Sequence, residues 1–496
     1  MKTLRYRVTD IKLNLGEDIS KVEEKVEKKY HIVPKNLEII KESIDARKKN
    51  DIKLIYTVDF DCQKKINAPL SKEKPYANPV AHDNKKIVIV GFGPSGIFSS
   101  LILSRAGYKV TVLEQGSNVD KRTEIVKEFW EKGKLNPKSN VQFGEGGAGT
   151  FSDGKLTTGI KDERIRFVLK EFVKHGASPD IMYKGKPHIG TDVLKNVVKS
   201  IREEIISLGS NIMFDSCLKS FNICDNKVKS LTYEKDGKEY EMDADYVILA
   251  IGNSARDTFT YLKDLVYMEK KPFSIGFRIE HSQDMIDISQ YGKVGRELGL
   301  EPATYKLNMV ASNNRGVYTF CMCPGGYVIN ASSEANAVCV NGMSERNRDS
   351  KKANSAILCD VYPDDLDEDI LSGIEFQRKY EKLAYDNSYE IKKNTVKNYL
   401  EGRASNISKC VPDFANVAIK EAVVEFGKKI KGFSCDNATL YAVETRSSCP
   451  IRIKRDEKYK SSIKNVYPIG EGAGYAGGIM SSSVDGIKVA EIICEE

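Results

Sequence analysis

The chain has 496 residues, 41% hydrophobic and 30% charged, with a net charge of +7 from 77 basic and 70 acidic side chains. That length holds two or three domains with proper cores, and the composition is that of a globular protein rather than a disordered or fibrous one. No apolar run reaches about 18 residues, which excludes a transmembrane helix.

The first residues, MKTLRYRVTD, carry neither an apolar core region nor a small-residue cleavage site, so no secretory signal is expected. Residues 2–14 predict a strand, with Leu4, Tyr6 and Val8 alternating against charged neighbours. Asp18 or Ser20 caps a helix running to about Tyr30, with Val22, Val26 and Tyr30 along one face. Pro34 breaks the chain, and strands follow at 37–46 and 52–62 across the polar turn RKKND. Residues 1–66 thus predict a small β-α-β-β module without a cluster of catalytic residue types. The basic excess concentrates in this part of the chain. It reads as a solvated surface rather than a nucleic-acid face. Residues 67–84 are polar and proline-rich, a linker.

The next stretch, KKIVIVGFGPSGIFSSLILSRAGYKVTVLEQ from Lys85 to Gln115, is a strand, a glycine turn, a helix and a second strand ending in an acid. Ile87 to Val90 suits a strand buried on both faces. Gly91 allows the tight turn, Gly93 lets backbone approach a pyrophosphate, and Gly96 lets the helix pack on the strand. The helix then directs its unpaired N–H groups and positive dipole end at phosphates. Glu114, at the end of the second strand, can accept hydrogen bonds from both hydroxyls of an adenosine ribose. A lone glycine fingerprint is weak, but strand, helix, second strand and acid in register predict dinucleotide binding.

A helical stretch after Glu114 carries Arg122 and the only tryptophan, Trp130. Residues 144–156, GEGGAGTFSDGKL, are glycine-dense, so backbone must turn repeatedly or come close to something. Gly147 belongs to this second cofactor-facing loop, and Ser152, Asp153 and Lys155 are polar groups able to line the cofactor or a substrate. A helix runs from about His188–Asp192 to Ser207, strands follow near 212–214 and 228–233, and YVILAI (246–251) is another buried strand ending at Gly252.

Residues 265–440 change character, with strand-like segments at 273–279, 316–321 and 327–331 among helices and acidic loops, and predict an inserted substrate or cap domain. Within it, Cys321 and Cys323 flank Met322 in a strand-like segment, and they are not expected to pair easily with each other. The eleven cysteines include no CxxC, which fits a reducing cytoplasm. His31, His82, His175, His188 and His281 show no metal-ligand spacing, so no metal is expected. At the end, NVYPIGEGAGYAGGIMSSSVDGIKV again runs strand, glycines, helix, with Glu471 after Gly470 where the strand stops. Residues 441–496 therefore return to the domain begun at 85–264.

Two dinucleotide-type fingerprints at the two ends of one chain resemble the FAD-binding fold shared by glutathione reductase and p-hydroxybenzoate hydroxylase. The segments NVQFGEGGAGTFSDGKL, GNSARDTF, FCMCPGGYVINASS, NGMSERN and GEGAGYAGGIMSSSVDG, with SIDARKK in the first module, are similar to those of the uncharacterised bacterial FAD-dependent dehydrogenase family. The resemblance covers nearly the whole chain. It implies an α/β fold: a Rossmann-like FAD-binding domain with an inserted α+β substrate or cap domain and the small N-terminal α+β module. It also implies Gly91, Gly93, Pro94, Ser95 and Gly96 at the pyrophosphate, and Glu114 with Gln115 at the adenosine. Leu218 then lies by the adenine, Arg122 at the phosphates or ribitol, and Gly470 with Glu471 at the ribitol. Gly478, Ile479 and Met480 lie by the isoalloxazine, with Gly147 and Gly252 in the loops that pass over the cofactor.

Lys155, Cys321 and Cys323 are the catalytic candidates: Lys155 because it can stabilise negative charge on a reduced flavin, the cysteines as thiols near it. No second GxGxxG for a nicotinamide occurs between 160 and 440, and no CxxxxC pair follows the first helix, which argues against a disulfide reductase. The expected function is a cytoplasmic FAD-dependent oxidoreductase acting on a small-molecule substrate, with NAD(P)H as a possible transient electron donor. A flavin monooxygenase, or a flavin-dependent RNA-modifying or RNA-binding protein using the basic first module, is the alternative.

Overall fold

The computed structural model describes residues 3–72, 76–293, 297 and 299–496. Residues 73–75 of the expected linker, and 294–296 and 298 of the expected insertion, lie outside them. At the N-terminus, β1 (Leu4–Asn14), β2 (Lys35–Asp45) and β3 (Lys53–Cys62) form an antiparallel sheet in the order β1-β3-β2. Helix α1 (Lys21–Tyr30) buries Val22 and Val26 in a core with Tyr6, Val8, Val58 and Phe60. Ser20 stands at its N-cap without a side-chain cap bond, while Asp18 accepts the Ser20 N–H at 2.8 Å. The start of the linker is not free chain. Arg7 N donates to Pro69 O and Ser71 N to Arg5 O, both at 2.9 Å, so this segment adds itself along the edge of β1. Paired edges satisfy backbone groups that would otherwise be left open. The module leans on the rest through Glu42 N to Tyr183 O, 2.6 Å, and Lys49 Nζ to Ser289 O, 2.6 Å.

The glycine fingerprint opens a three-layer unit. Its central sheet is parallel, with β4 (Ile87–Val90) in the middle, β5 (Thr111–Leu113) and β6 (Asn211–Met213) on one side, and β10 (Tyr246–Leu249) and β21 (Val466–Pro468) on the other. Every residue of β4 is buried, because helices cover one face and another sheet the other. The helical layer holds α2 (Pro94–Ala106), α4 (Arg164–Lys174), α5 (Thr191–Ser207) and the closing helix Ile479–Glu495. The opposite layer is the antiparallel sheet β7 (Ser216–Cys224), β8 (Lys227–Lys235) and β9 (Lys238–Asp243), whose Leu218, Phe221 and Leu231 pack on Val88, Val90 and Leu113. Helix α3 (Val119–Lys132) follows β5, and α6 (Arg256–Leu262) follows β10.

The insertion is built on a six-stranded antiparallel sheet. Its order is β13 (Asn308–Val310), β14 (Gly316–Pro324), β17 (Lys352–Val361), β12 (Phe273–Ser282), β19 (Thr439–Glu444) and β18 (Lys392–Thr395). Helix Asp413–Lys429 buries Ala415, Ile419, Ala422 and Phe426 in the same core as β12 and β17. A boundary at 440 would cut β19, whose partner alignment with β12 continues to Glu444 opposite Gly276. The pairing of β11 (Met268–Lys270) with β20 (Ile451–Ile453) and that of β15 (Tyr327–Asn330) with β16 (Val340–Met343) complete the strands. No described helix is long and apolar enough to cross a membrane.

Candidate functional site

The turn after β4 is held by sterics and by one carboxylate. A Cβ on Gly91 would sit 2.3 Å from Ala250 O, and one on Gly96 2.0 Å from Gly91 O, so both positions need glycine for the strand, turn and helix to touch. Glu114 is buried, and its Oε2 accepts the Phe92 N–H at 2.7 Å. Oε1 accepts those of Gly116 and Gly144, both at 2.9 Å. This acid therefore ties the first glycine turn to the second glycine-rich loop.

Between this unit and the inserted sheet lies a cleft open to solvent. Gly91, Gly93, Pro94, Ser95, Glu114 and Gln115 line one wall. Gly147, Leu218, Gly252, Glu471, Gly478 and Ile479 continue it. The facing wall comes from the insertion and its return strand, with Phe320, Cys321, Asn341, Glu444 and Arg446.

Four of the expected cofactor residues lie elsewhere. Gly96 sits behind the turn, pressed on Gly91 rather than facing the cleft. Gly470 backs onto Ser95, whose Oγ would be 2.5 Å from an added Cβ. Met480 is 1% exposed and belongs to the core beneath the parallel sheet, because the first turn of the closing helix shows Ile479 to the cleft and Met480 to the interior. Arg122 is fully buried and turned away from the cleft. Its guanidinium donates to the carbonyls of Asn140, Val141, Gly144, Glu145 and Gly147 at 2.7–3.2 Å and stacks on the Phe151 ring. Burial lowers its pKa to about 10. It anchors the second glycine loop instead of binding phosphate.

Lys155, Cys321 and Cys323 come together. Lys155 Nζ is 3.7 Å from both sulfurs, although it lies 166 and 168 residues away in sequence. Residues two apart share a face of a regular strand, and this pair also borders an irregularity of β14 between Phe320 and Cys323, where Cys321 adopts a φ of 43°. A bulge inserts an extra residue and re-aims the side chains beside it. Lys155 is fixed by Asp153 at 3.2 Å, a fully buried carboxylate that Arg348 and Ser344 also hold. Burial opposes the Lys155 charge, but Asp153 and the two sulfurs outweigh it and keep its pKa above the ordinary range.

Sequence reading missed two charged partners of this group. Arg278 on β12 donates to Glu444 Oε2 at 2.8 Å, to Asn354 Oδ1 at 2.9 Å and to Cys321 O at 2.9 Å. Both Arg278 and Glu444 stand in apolar strands, FSIGFRIE and TLYAVE, and a charge inside such a strand is the signal that would have found them. Burial pushes Glu444 up to about 7, with Arg278 pulling the other way and Cys321 adding to the rise. Its folded pKa lies above the ordinary 4.5, so the stabilisation tied to its proton is complete below about pH 4.5 and is lost as pH rises through about 7. The expected loss is about 3 kcal/mol. Urea denaturation of the parent and of Glu444→Gln from pH 5 to 8 checks this: the parent should lose stability relative to the variant, and parallel curves would contradict it.

A third cluster joins Arg256, Arg446 and the fully buried Glu381 at 2.8 Å, pinning α6 to the insertion. Glu171, His175 and Glu204 also converge, from two helices that sequence spacing could not relate. Arg105 occupies both of those carboxylates, at 2.6–2.8 Å.

The cleft fits a flat dinucleotide. A Cβ on Gly477 would meet nothing within 4 Å and its φ is ordinary, so neither packing nor backbone demands glycine; it leaves room for something that is not protein. Beside it, Asn253 donates to Glu471 Oε1 at 3.0 Å while its own buried Oδ1 has no partner. Two helix N-termini, at Pro94 and Ile479, open at this cleft.

Residues 272–447 match the family model described as FAD-dependent protein, C-terminal domain-like, and residues 5–61 match a domain of unknown function, DUF8436. The chain is 44% identical over 532 aligned positions to an uncharacterized protein of Clostridium beijerinckii, with 99% of each covered. Similar solved structures include CtdE in complex with FAD, at 14% identity and TM-score 0.34, covering 82% of this chain and 83% of that one. The flavin-dependent brominase Bmp2 is similar at 11% identity and TM-score 0.40, covering 83% and 79%. L-proline dehydrogenase from P. horikoshii is similar at 13% identity and TM-score 0.37, covering 83% and 94%. The chain belongs to the family of the clostridial protein, a family of FAD-dependent proteins, and FAD is its cofactor.

Proposed function

We propose that the protein is an FAD-dependent oxidoreductase that moves a hydride between the flavin and a small organic substrate held against the inserted sheet. The observation that carries this is a single cleft whose one wall is the glycine-lined dinucleotide cradle and whose other wall bears Cys321, Glu444 and Arg446, with Lys155 beside Cys321. Gly91, Gly93, Pro94 and Ser95 with the N-terminus of α2 hold the pyrophosphate, and Glu114 the ribose. Gln115 and Leu218 flank the adenine; Gly147, Gly252, Glu471, Gly478 and Ile479 hold the ribitol and ring. Bound FAD supplies the hydride donor or acceptor.

The chain's own groups bind and orient the substrate and handle its proton. Lys155 and Arg446 set a positive field for an anionic or carbonyl-bearing group. Arg278 occupies Glu444 Oε2, leaving Oε1 to carry a proton near neutral pH. All eleven cysteines are unpaired, which supports a cytoplasmic setting.

Anaerobic titration of the yellow protein with NADPH and then NADH is the test. Loss of the flavin band near ~450 nm identifies a nicotinamide as electron donor. A band that only dithionite removes identifies a dehydrogenase fed by its own substrate. Protein that is colourless and takes up no added FAD overturns the reading.

A further inference from the structure

The bulged end of β14 does more than bring two sulfurs to one lysine. Cys321 lines the cleft and is partly exposed to it, whereas Cys323, two residues on, is fully buried. Both sulfurs are 3.7 Å from Lys155 Nζ. Arg278 adds a second fixed cation, its Nη1 3.9 Å from Cys323 Sγ and its Nη2 on the Cys321 carbonyl. Two cations beside two thiols, one open to substrate and one sealed behind it, form the arrangement an attacking and a resolving cysteine require. We propose that Cys321 and Cys323 are a reactive dithiol that reduces a small-molecule disulfide in this cleft, with Cys321 attacking and Cys323 resolving.

The electrostatics support that division. The neighbouring Cys323 side chain, then the Lys155 and Arg278 charges, hold Cys321 well below the ordinary thiol range; Cys321 and burial push Cys323 up, and the Cys323 thiol donates to the Cys321 carbonyl at 3.2 Å. Thiolates are the nucleophiles, and nearby cations are what generate them. The other two cysteines of the cleft make the contrast. Burial pushes Cys217 up to about 11 and Cys339 up to about 12, and the charges of Lys219 and Lys138 on the first and of Arg446 and Arg256 on the second do not offset it.

The step balances as follows. The Cys321 thiolate attacks one sulfur of R–S–S–R, that S–S bond breaks, and RS⁻ leaves beside the Lys155 ammonium. Cys323 gives its proton to the released RS⁻ and attacks Cys321 Sγ, forming the Cys321–Cys323 bond and expelling the second RS⁻. Two electrons pass from the protein sulfurs to the substrate sulfurs, and the products are one RSH and one RS⁻. Repeated turnover needs two electrons and a proton returned to the pair, and there the inference rests on the flavin reading above. The absence of CxxxxC near the first helix therefore does not exclude disulfide chemistry, because the pair lies on the opposite wall.

The test uses the full-length holoprotein in a background with the exposed Cys224 and Cys435 replaced by serine. The probe is 4,4′-dithiodipyridine at about pH 6, where ordinary thiols are roughly three powers of ten short of full ionisation. The parent should release two thiopyridones per chain, lose about 2 Da and retain no pyridyl group. Cys323→Ser should release one and keep one pyridyl on Cys321. Cys321→Ser should react at least tenfold more slowly, as should Lys155→Met. A stable pyridyl adduct on the parent, or Cys321→Ser reacting as fast as the parent, would overturn the proposal. The flavin spectrum of the same samples separates the two readings. Yellow protein without the dithiol chemistry defeats this inference alone; colourless protein that takes up no FAD yet forms the Cys321–Cys323 bond defeats the flavin reading and supports this one.

Discussion

Replacing Arg122 by methionine is expected to destabilise the protein by about 3–5 kcal/mol and to release FAD. Methionine keeps an apolar stem but removes every donor, together with the guanidinium that stacks on Phe151. Gly144 O and Glu145 O retain a second donor, from Gly147 N at 2.9 Å and Thr150 Oγ1 at 3.1 Å. Asn140 O, Val141 O and Gly147 O would lose the guanidinium that they share. Leaving a buried acceptor unsatisfied costs about 1–3 kcal/mol, and several lost together account for the range. Arg122→Lys should recover only part of the loss, since one ammonium cannot reach carbonyls spread around a planar fork. Urea denaturation of the FAD-free proteins measures the first effect and retained flavin absorbance the second. A methionine variant as stable as the parent would show that the 140–147 loop is held by something else.

Gly477→Val should do the reverse, leaving the FAD-free fold intact while weakening FAD binding at least tenfold, about 1.4 kcal/mol. A Cβ added at Gly477 meets no protein atom within 4 Å, and the residue is exposed with ordinary backbone, so the unliganded protein tolerates the change. The closing helix begins two residues later, its N-terminus at the cleft, and branched carbons there would occupy the space beside it. FAD titration of the apoprotein followed by fluorescence, with the thermal midpoint of the same sample, separates the two effects. Equal affinity in parent and variant would place the flavin away from Gly477. A lowered midpoint without FAD would mean the position is structural after all.

The parts of the site that were readable in the sequence are those whose physics is local. A buried four-residue strand, a glycine turn, a helix and an acid at the end of the next strand lie within Lys85–Gln115, and each constrains its neighbour through bonds only a few residues long. Hence Gly91, Gly93 and Glu114, with Glu471, Gly478 and Ile479 of the closing segment, lie on the cleft. Arg122 was legible as a charge in an amphipathic helix but not in its direction. An arginine near a glycine-rich loop can bind phosphate or bind the loop, and only the packed structure shows five carbonyls already on it.

By itself, then, the sequence determined the dinucleotide unit, the small first module and the existence of an insertion, because periodicity and glycine sterics act over short stretches of chain. Tertiary structure decided the reactive centre. Lys155, Arg278, Cys321 and Glu444 come from four separate segments, and their charges shift one another only once burial has removed the water between them. Cys321 and Cys323 meet one lysine from a distant segment beside an irregularity of β14, whose register against β17 exists only when both strands are paired.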